Sequence, residues 1–495
     1  MKTGGVAGGS DLADLARGGR TNFFGFLLRL AARLPFLFIA GRMYGADALG
    51  RFAYAVIVVE FAAQLATLGL KRGLAAQLSK SDEGAHTHIV WDGLLVGWIA
   101  SALMAALLIL VPQLMFPNSE INGLDRLFPL IIFAIVASDI SLAALAYRHD
   151  IAATVRARSI IEPWTISLGA LAFAFYSTRD GLILAYVLSL IAAFVASMWP
   201  CIKSYGWPHA WRPKTRELFL LARRNIPLAG ADAIEWGSRR LDIAILGLFF
   251  SPAVVGIYYV AQQVASLPQK LKTSFDPILG PVITRSLEAG DRKGVARQVA
   301  QVGFWVIAAQ AGVALALGIP GEAVLGLVGP NFVGGTGALA FLLAAEVVAA
   351  TAAVSEAGLI YVARHRNLMI SLGMVAVQAG LSFALIVAAR AADLPILYQA
   401  AMPAVALMLA LGLSSIVKAR LLSRLLDAPV SGWRWALVWA VATASVVGYV
   451  VTRGPEWTEL AFGIPAILLS YGLVIWYRGF GHADRELFRR SAPAN

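Results

Sequence analysis

Apolar residues recur along the chain in runs of about twenty, separated by short polar stretches. The runs fall at roughly 23–40, 52–70, 89–111, 127–147, 160–176, 182–202 and 226–250. Seven more follow at 253–283, 303–319, 339–361, 368–389, 396–416, 433–451 and 460–477. About twenty helical residues span the ~30 Å hydrocarbon core of a bilayer. An open strand there would leave backbone groups unsatisfied, so each run is read as helix. The pattern predicts an all-α membrane protein of about fourteen transmembrane helices. The run at 253–283 is too long for one straight span, and Pro268, Pro277 and Pro281 should kink it or end it early.

The cations between the runs orient the chain. Alternate loops hold Lys2, Arg17 and Arg20, then Lys71, Arg72 and Lys80, then Arg148, Arg156 and Arg158. The same side continues with the basic cluster from Lys203 to Arg224, with Arg285, Arg292, Lys293 and Arg297, and with Arg364 and Arg366. It ends with Lys418, Arg420, Arg424 and Arg434, then Arg478, Arg485, Arg489 and Arg490. The opposite side holds only Arg42, Arg51, Arg126, Arg179, Arg390 and Arg453. The split is about 29 to 6 and never inverts along the chain. By the positive-inside rule both termini lie in the cytoplasm. A missed helix would invert the bias beyond it.

Composition sharpens this picture. The 495 residues are 59% hydrophobic and 14% charged, with a net charge of +12. So few charges cannot cover a water-exposed surface. The net charge follows from the loop asymmetry, so no nucleic-acid partner is implied. Cys201 is the one cysteine, so no internal disulfide forms. Residues 1–20 are polar and Gly-rich, and no small-residue cleavage site follows the first run. All six histidines fall in cytoplasmic loops or the tail. There is no Gly-rich phosphate loop and no H-E-x-x-H motif, and the outer loops are short. The chain is therefore read as a non-enzyme without cofactor or metal.

Two stretches repeat. Gly50-Arg51-Phe52-Ala53-Tyr54-Ala55 opens the second helix, and Gly256-Ile257-Tyr258-Tyr259-Val260-Ala261 lies near the start of the eighth. At the same offset of about 206 residues, Arg33 falls on Arg239. Duplicated halves are common in transporters. The division this implies is a tail at 1–20, a six-helix lobe at 21–203 and a linker at 204–225. A second lobe follows at 226–417, then two appended helices at 418–477 and a tail at 478–495.

Several charges lie inside the apolar runs, where each costs about 2.5–3.5 kcal/mol at the bilayer centre. Asn22, Arg29 and Arg33 lie within about 60° on the first helix. Asp232, Glu235, Arg239 and Asp242 share a face of about 80° on the seventh, with Arg240 off that stripe. Glu60, Asp139, Lys270, Lys272, Asp276 and Glu346 are further cases, while Glu162 and Glu356 look peripheral. Helix-locking pairs or snorkelling account for the charges near helix ends. Polar stripes on the two repeat-related helices suggest instead a shared water-filled cavity. Its arginines suit an anionic ligand, since a guanidinium grips phosphate oxygens in a bidentate way.

The residues of 227–285, with Arg239-Arg240-Leu241-Asp242, Gly247, Phe250, Gly256-Ile257-Tyr258 and Ala261, resemble the polysaccharide-export, O-antigen-type flippases. These belong to the multidrug/oligosaccharidyl-lipid/polysaccharide exporter superfamily. The Gly45…Gly50-Arg51-Phe52-Ala53-Tyr54 turn and Gly329-Pro330-Asn331-Phe332 are similar to theirs too. The resemblance implies two six-helix lobes in a V with two added helices. It also implies movement of an undecaprenyl-diphosphate-linked oligosaccharide across the bacterial inner membrane. Membrane lipids, a polysaccharide polymerase and glycosyltransferases are then the candidate partners. Arg29, Arg33 and Arg239 would take the diphosphate. Glu60, Asp139, Asp232, Glu235, Arg240, Asp242 and Glu346 would form the surrounding charge network or couple an ion. An anion leaving a negative interior gains about 2.3 kcal/mol per charge per 100 mV, which would drive export. The alternative is a cation-coupled drug or small-solute antiporter of the same superfamily.

Overall fold

A computed structural model describes residues 34–209, 211–272 and 290–481, with single positions 283, 287 and 484. Arg29, Arg33 and the N-terminal tail lie outside these described residues, as does the predicted C-terminal tail apart from 478–481 and Asp484. The helices are α1 (Gly45–Ala66), α2 (Leu70–Leu78), α3 (His86–Leu110), α4 (Ile131–Tyr147), α5 (Glu162–Ala174) and α6 (Gly181–Tyr205). They continue with α7 (Thr215–Ser238), α8 (Leu241–Phe249), α9 (Pro252–Lys272) and α10 (Arg292–Gly318). The last are α11 (Thr336–Val362), α12 (Arg364–Ala391), α13 (Ile396–Leu426), α14 (Trp435–Val451) and α15 (Ile464–Val474). Among the described residues there is no strand, and nine helices are long and apolar enough to cross a membrane. The protein is an all-α, multi-pass membrane protein.

Two predicted runs take a different course. The run at 226–250 is two helices, because the chain breaks between Ser238 and Leu241. Gly237 and Ser238 are weak helix formers, and the Arg240 amide closes a tight turn on the Gly237 carbonyl at 3.1 Å. Asp232, Glu235, Arg239 and Asp242 therefore do not share one continuous helical face. The run at 253–283 begins as α9, which passes through Pro268; Pro277 and Pro281 lie outside the described residues.

The chain packs as two compact units, 27–259 and 260–495. In the first, α1 is the central helix and packs on α3, α4 and α7. Gly69 ends it with a left-handed φ of +69°, so that α2 can leave at an angle. The same glycine abuts the backbone of Asn225 and Ala229 on α7.

The internal repeat has a physical counterpart inside this unit. A Cβ on Gly50 would collide with the Pro252 carbonyl. A Cβ on Gly256 would collide with the Ala46 carbonyl and stand 2.9 Å from the Gly50 nitrogen. Residues 46 and 252 are offset as 50 and 256 are. The repeat-related turns thus meet one another backbone to backbone across a local two-fold relation. Only a residue without a side chain permits that approach.

In the second unit, α13 packs against both α11 and α12, while α10 packs against α11, α14 and α15. Asp484 fastens α14 and α15 to α10. Its carboxylate is buried and accepts from Gln301 Nε2 (3.0 Å), Trp305 Nε1 (2.9 Å), Arg434 Nη1 (2.6 Å) and the Gly481 amide (2.8 Å). The Arg434 guanidinium also lies 3.9 Å from the centre of the Phe304 ring. Burial alone would raise the Asp484 pKa. The Arg434 and Gly481 hydrogen bonds outweigh it and hold the carboxyl below the usual carboxylate range.

Two outcomes are expected. Gly50→Leu or Gly256→Leu should cost about 1–3 kcal/mol or block folding, whereas Gly84→Ala, in open space, should be neutral; thermal unfolding in detergent reads both. Asp484→Ala leaves three side-chain donors unfilled and should cost about 3 kcal/mol. A carboxyl lowered in the folded state stabilises above its unfolded pKa of about 3.9 and loses this as pH falls. The wild-type melting temperature should therefore show no contribution from Asp484 titration between neutral pH and about pH 5.

Candidate functional site

The charges of the first unit form several groups of ion pairs, on α1, α2, α4, α7 and the segment from Val155 to Glu162. Asp139 is buried in the middle of α4. Its two oxygens are taken by Lys71 Nζ at 2.7 Å and Arg158 Nη2 at 2.5 Å. Arg158 lies in the π-helical turn Val155–Ile161 and reaches Glu162 Oε2, one turn on, at 2.7 Å. A carboxylate this deep in an apolar bundle persists only with partners of opposite charge.

A second group forms one face further along. Tyr186 on α6 donates to Glu60 Oε1 at 2.9 Å. Arg240 Nη2 stands 3.7 Å from Glu60 Oε2, with its guanidinium over the Trp236 ring. Trp236 packs on Phe61 beside Glu60. Arg72 Nε reaches Asp232 Oδ1 at 3.0 Å. Past the helix break, Asp242 is buried and accepts the Tyr258 hydroxyl at 2.8 Å.

The geometry sorts the predicted residues. Glu60, Asp139, Asp232, Arg240 and Asp242 all lie in this unit with the partners above. Arg239 ends α7 at the break, exposed. Arg240, set aside in the sequence as off the stripe, is the arginine that meets Glu60. Glu346 lies half-buried on α11, in the other unit. The Glu235, Lys270 and Lys272 side chains and Asp276 lie outside the described residues.

Four residues of the set were placed elsewhere by sequence reasoning. Lys71, Arg72 and Arg158 were assigned to cytoplasmic loops, and Glu162 was read as peripheral. The available signals were the Lys71-Arg72 pair directly after an apolar run and the i,i+4 spacing of Arg158 and Glu162. Among the described members of the set, Lys71, Arg72, Arg158 and Arg240 face Asp139, Asp232, Glu162 and Glu60, while Asp242 takes the Tyr258 hydroxyl. Arg29 and Arg33 stand outside this described set.

Two other charges depart from the loop map. Arg51 is buried, pairing with Asp125 and standing 3.6 Å from Asp180, so it fastens the end of α1 to α6 rather than facing water. Lys418 is buried on α13 and bonds to Glu356 and Ser371.

Chemically, Lys71, Arg72, Arg158 and Arg240 are each held by a carboxylate and stay between 25% and 55% exposed. An anion with several oxygens could replace those carboxylates one for one.

Comparison with known proteins bears on what such a site serves. A family model described as polysaccharide biosynthesis protein matches residues 39–316. No curated protein sequence matches the chain. Among solved structures, the lipid II flippase MurJ in an inward closed conformation superposes with a TM-score of 0.69 at 12% identity. That match covers 92% of this chain and 99% of that one. An inward-facing multidrug resistance MATE family transporter of the MOP superfamily superposes at 0.63 with 12% identity, covering 81% and 95%. At such identities the likeness is one of fold. The family match spans more than half of the sequence, and the chain belongs to the polysaccharide biosynthesis protein family, as a multi-pass membrane protein with the fold of MurJ and the MATE transporters.

Proposed function

We propose that the protein is a flippase that moves an undecaprenyl-diphosphate-linked oligosaccharide from the cytoplasmic to the outer leaflet of the bacterial inner membrane. The observation that carries this reading is the network of exchangeable ion pairs in an apolar unit of a polysaccharide biosynthesis protein. A diphosphate is a strong multidentate acceptor. It would bind the guanidinium groups of Arg29, Arg33 and Arg239 and take over Arg158 and Lys71 from their carboxylates. The head group would then travel with its charge matched while the lipid tail stays in the bilayer.

The carboxylates have a second task in this reading. With no substrate bound, Asp139, Asp232 and Glu60 keep the cations neutralised, so the empty protein can reorient without bare charges in oil. Alternating access would use the two repeated lobes, 21–203 and 226–417, with the helices of 418–477 appended. The loop asymmetry supports cytoplasmic termini. A polymerase and glycosyltransferases remain the proposed partners. A drug antiporter would need free carboxylates for its cations. Glu60 and Asp139 are engaged by Arg240, Lys71 and Arg158, which counts against it.

Purified protein in proteoliposomes, given fluorescent undecaprenyl-diphosphate-linked N-acetylglucosamine, tests the reading. Wild type should equilibrate the probe across the bilayer. Arg29→Ala, Arg33→Ala, Arg239→Ala and Arg158→Ala should each slow transfer about tenfold or more, the worth of one charge-assisted hydrogen bond. Unchanged rates in all four would discard the site. Asp139→Asn frees two cations from their competitor. Binding of undecaprenyl diphosphate should tighten several-fold while transfer slows, because release becomes harder. Weaker binding in that variant would contradict the exchange scheme.

A further inference from the structure

The second unit contains a polar seam that the diphosphate chemistry does not use. Only 17% of the most apolar stretch of α12 is buried inside the protein. The buried residues of this helix include Asn367, Gln378 and Ser382. With Ser371 they recur at i, i+4, i+11 and i+15, within about 60° on a helix. They run along about 22 Å of its axis. The helix thus turns its polar stripe into the protein and its apolar faces outward, the reverse of a soluble amphipathic helix.

At the Arg364 end the stripe meets an ion pair. Lys418 on α13 is 4% exposed. Its Nζ stands 3.0 Å from Glu356 Oε2 on α11 and 3.0 Å from Ser371 Oγ. Asn367 Nδ2 donates to Glu356 Oε1 at 3.4 Å. Arg364, His365 and Arg366 form the first turn of α12 beside this pair. Along the stripe, Asn367 Oδ1, Gln378 Nε2 and Ser382 Oγ are buried with no hydrogen-bond partner in the protein. Each such atom is costly to bury unless water reaches it. Buried water serves groups of this kind. Three of them lie on one stripe, which ends at a buried ammonium and its part-exposed carboxylate, 38% exposed at Glu356.

We propose that this seam binds and conducts protons, with Glu356 as the protonation site and the Ser382–Gln378–Asn367 face of α12 as its path. A hydronium ion on that path gives its proton to a Glu356 carboxylate oxygen, an O–H bond forms, and water is left behind. Lys418 keeps its charge and loses its counter-ion. A buried ammonium without a partner is costly, so proton uptake loosens the joint of α11 and α13. What that movement drives rests on the flippase reading; the proton site itself does not.

The site is tested first without substrate. Infrared difference spectra of the full protein in nanodiscs are taken on acidification. A carboxylic-acid band present in wild type should vanish in Glu356→Gln and should appear at higher pH in Lys418→Met. After a pH jump, Gln378→Leu should slow its rise at least threefold. A band unaltered in Glu356→Gln, or an unmoved titration in Lys418→Met, overturns the proposal even if one variant fails to fold. The second arm uses the N-acetylglucosamine-bearing probe in proteoliposomes with the potential clamped by potassium and valinomycin. An imposed pH gradient should speed transfer several-fold in wild type and leave Glu356→Gln unaffected. An equal response in both overturns the coupling. Absence of transfer in wild type, with the band behaving as expected, overturns the flippase reading alone.

Discussion

A carboxylate facing a guanidinium or ammonium inside apolar surroundings is the interaction on which this protein turns. Bare, either charge would be expelled from a bundle made for lipid. Paired, both can be carried there, and the pair becomes a reserve of binding energy that a third charged group can draw on. Asp139 with Lys71 and Arg158, Glu60 with Arg240, and Arg72 with Asp232 are all built this way. Their members come from helices far apart in sequence, so each pair also fixes how those helices pack.

Much of the fold was legible in the sequence because the bilayer reduces the choices to one. An apolar run of the right length can only be a helix. Gly50 and Gly256 stood out in the sequence as a matched pair, and each lacks a side chain where it contacts the other's turn. The break at Arg239 and Arg240 was not, because apolar periodicity continues through it and only Gly237-Ser238 hints at a weak point.

The site was less legible than the fold. Intramembrane acids were found by their cost, yet their partners were assigned by loop position, which cannot register a lysine or arginine bending back into the bundle. Lys71, Arg158 and Lys418 all do so. Glu356, beside buried Lys418, looked peripheral for the same reason. Lys71, Arg72, Arg158 and Arg240 each meet an acid in the folded chain, a pairing that net charge along the sequence does not display.

The Asp484 joint bears on biogenesis. Its donors Gln301 and Trp305 leave the ribosome 183 and 179 residues before their acceptor does. At 5–20 residues per second, that delay is about 10–40 s. The indole N–H of Trp305 and the amide of Gln301 are made that long before Asp484, so this joint closes only when the last part of the chain is complete.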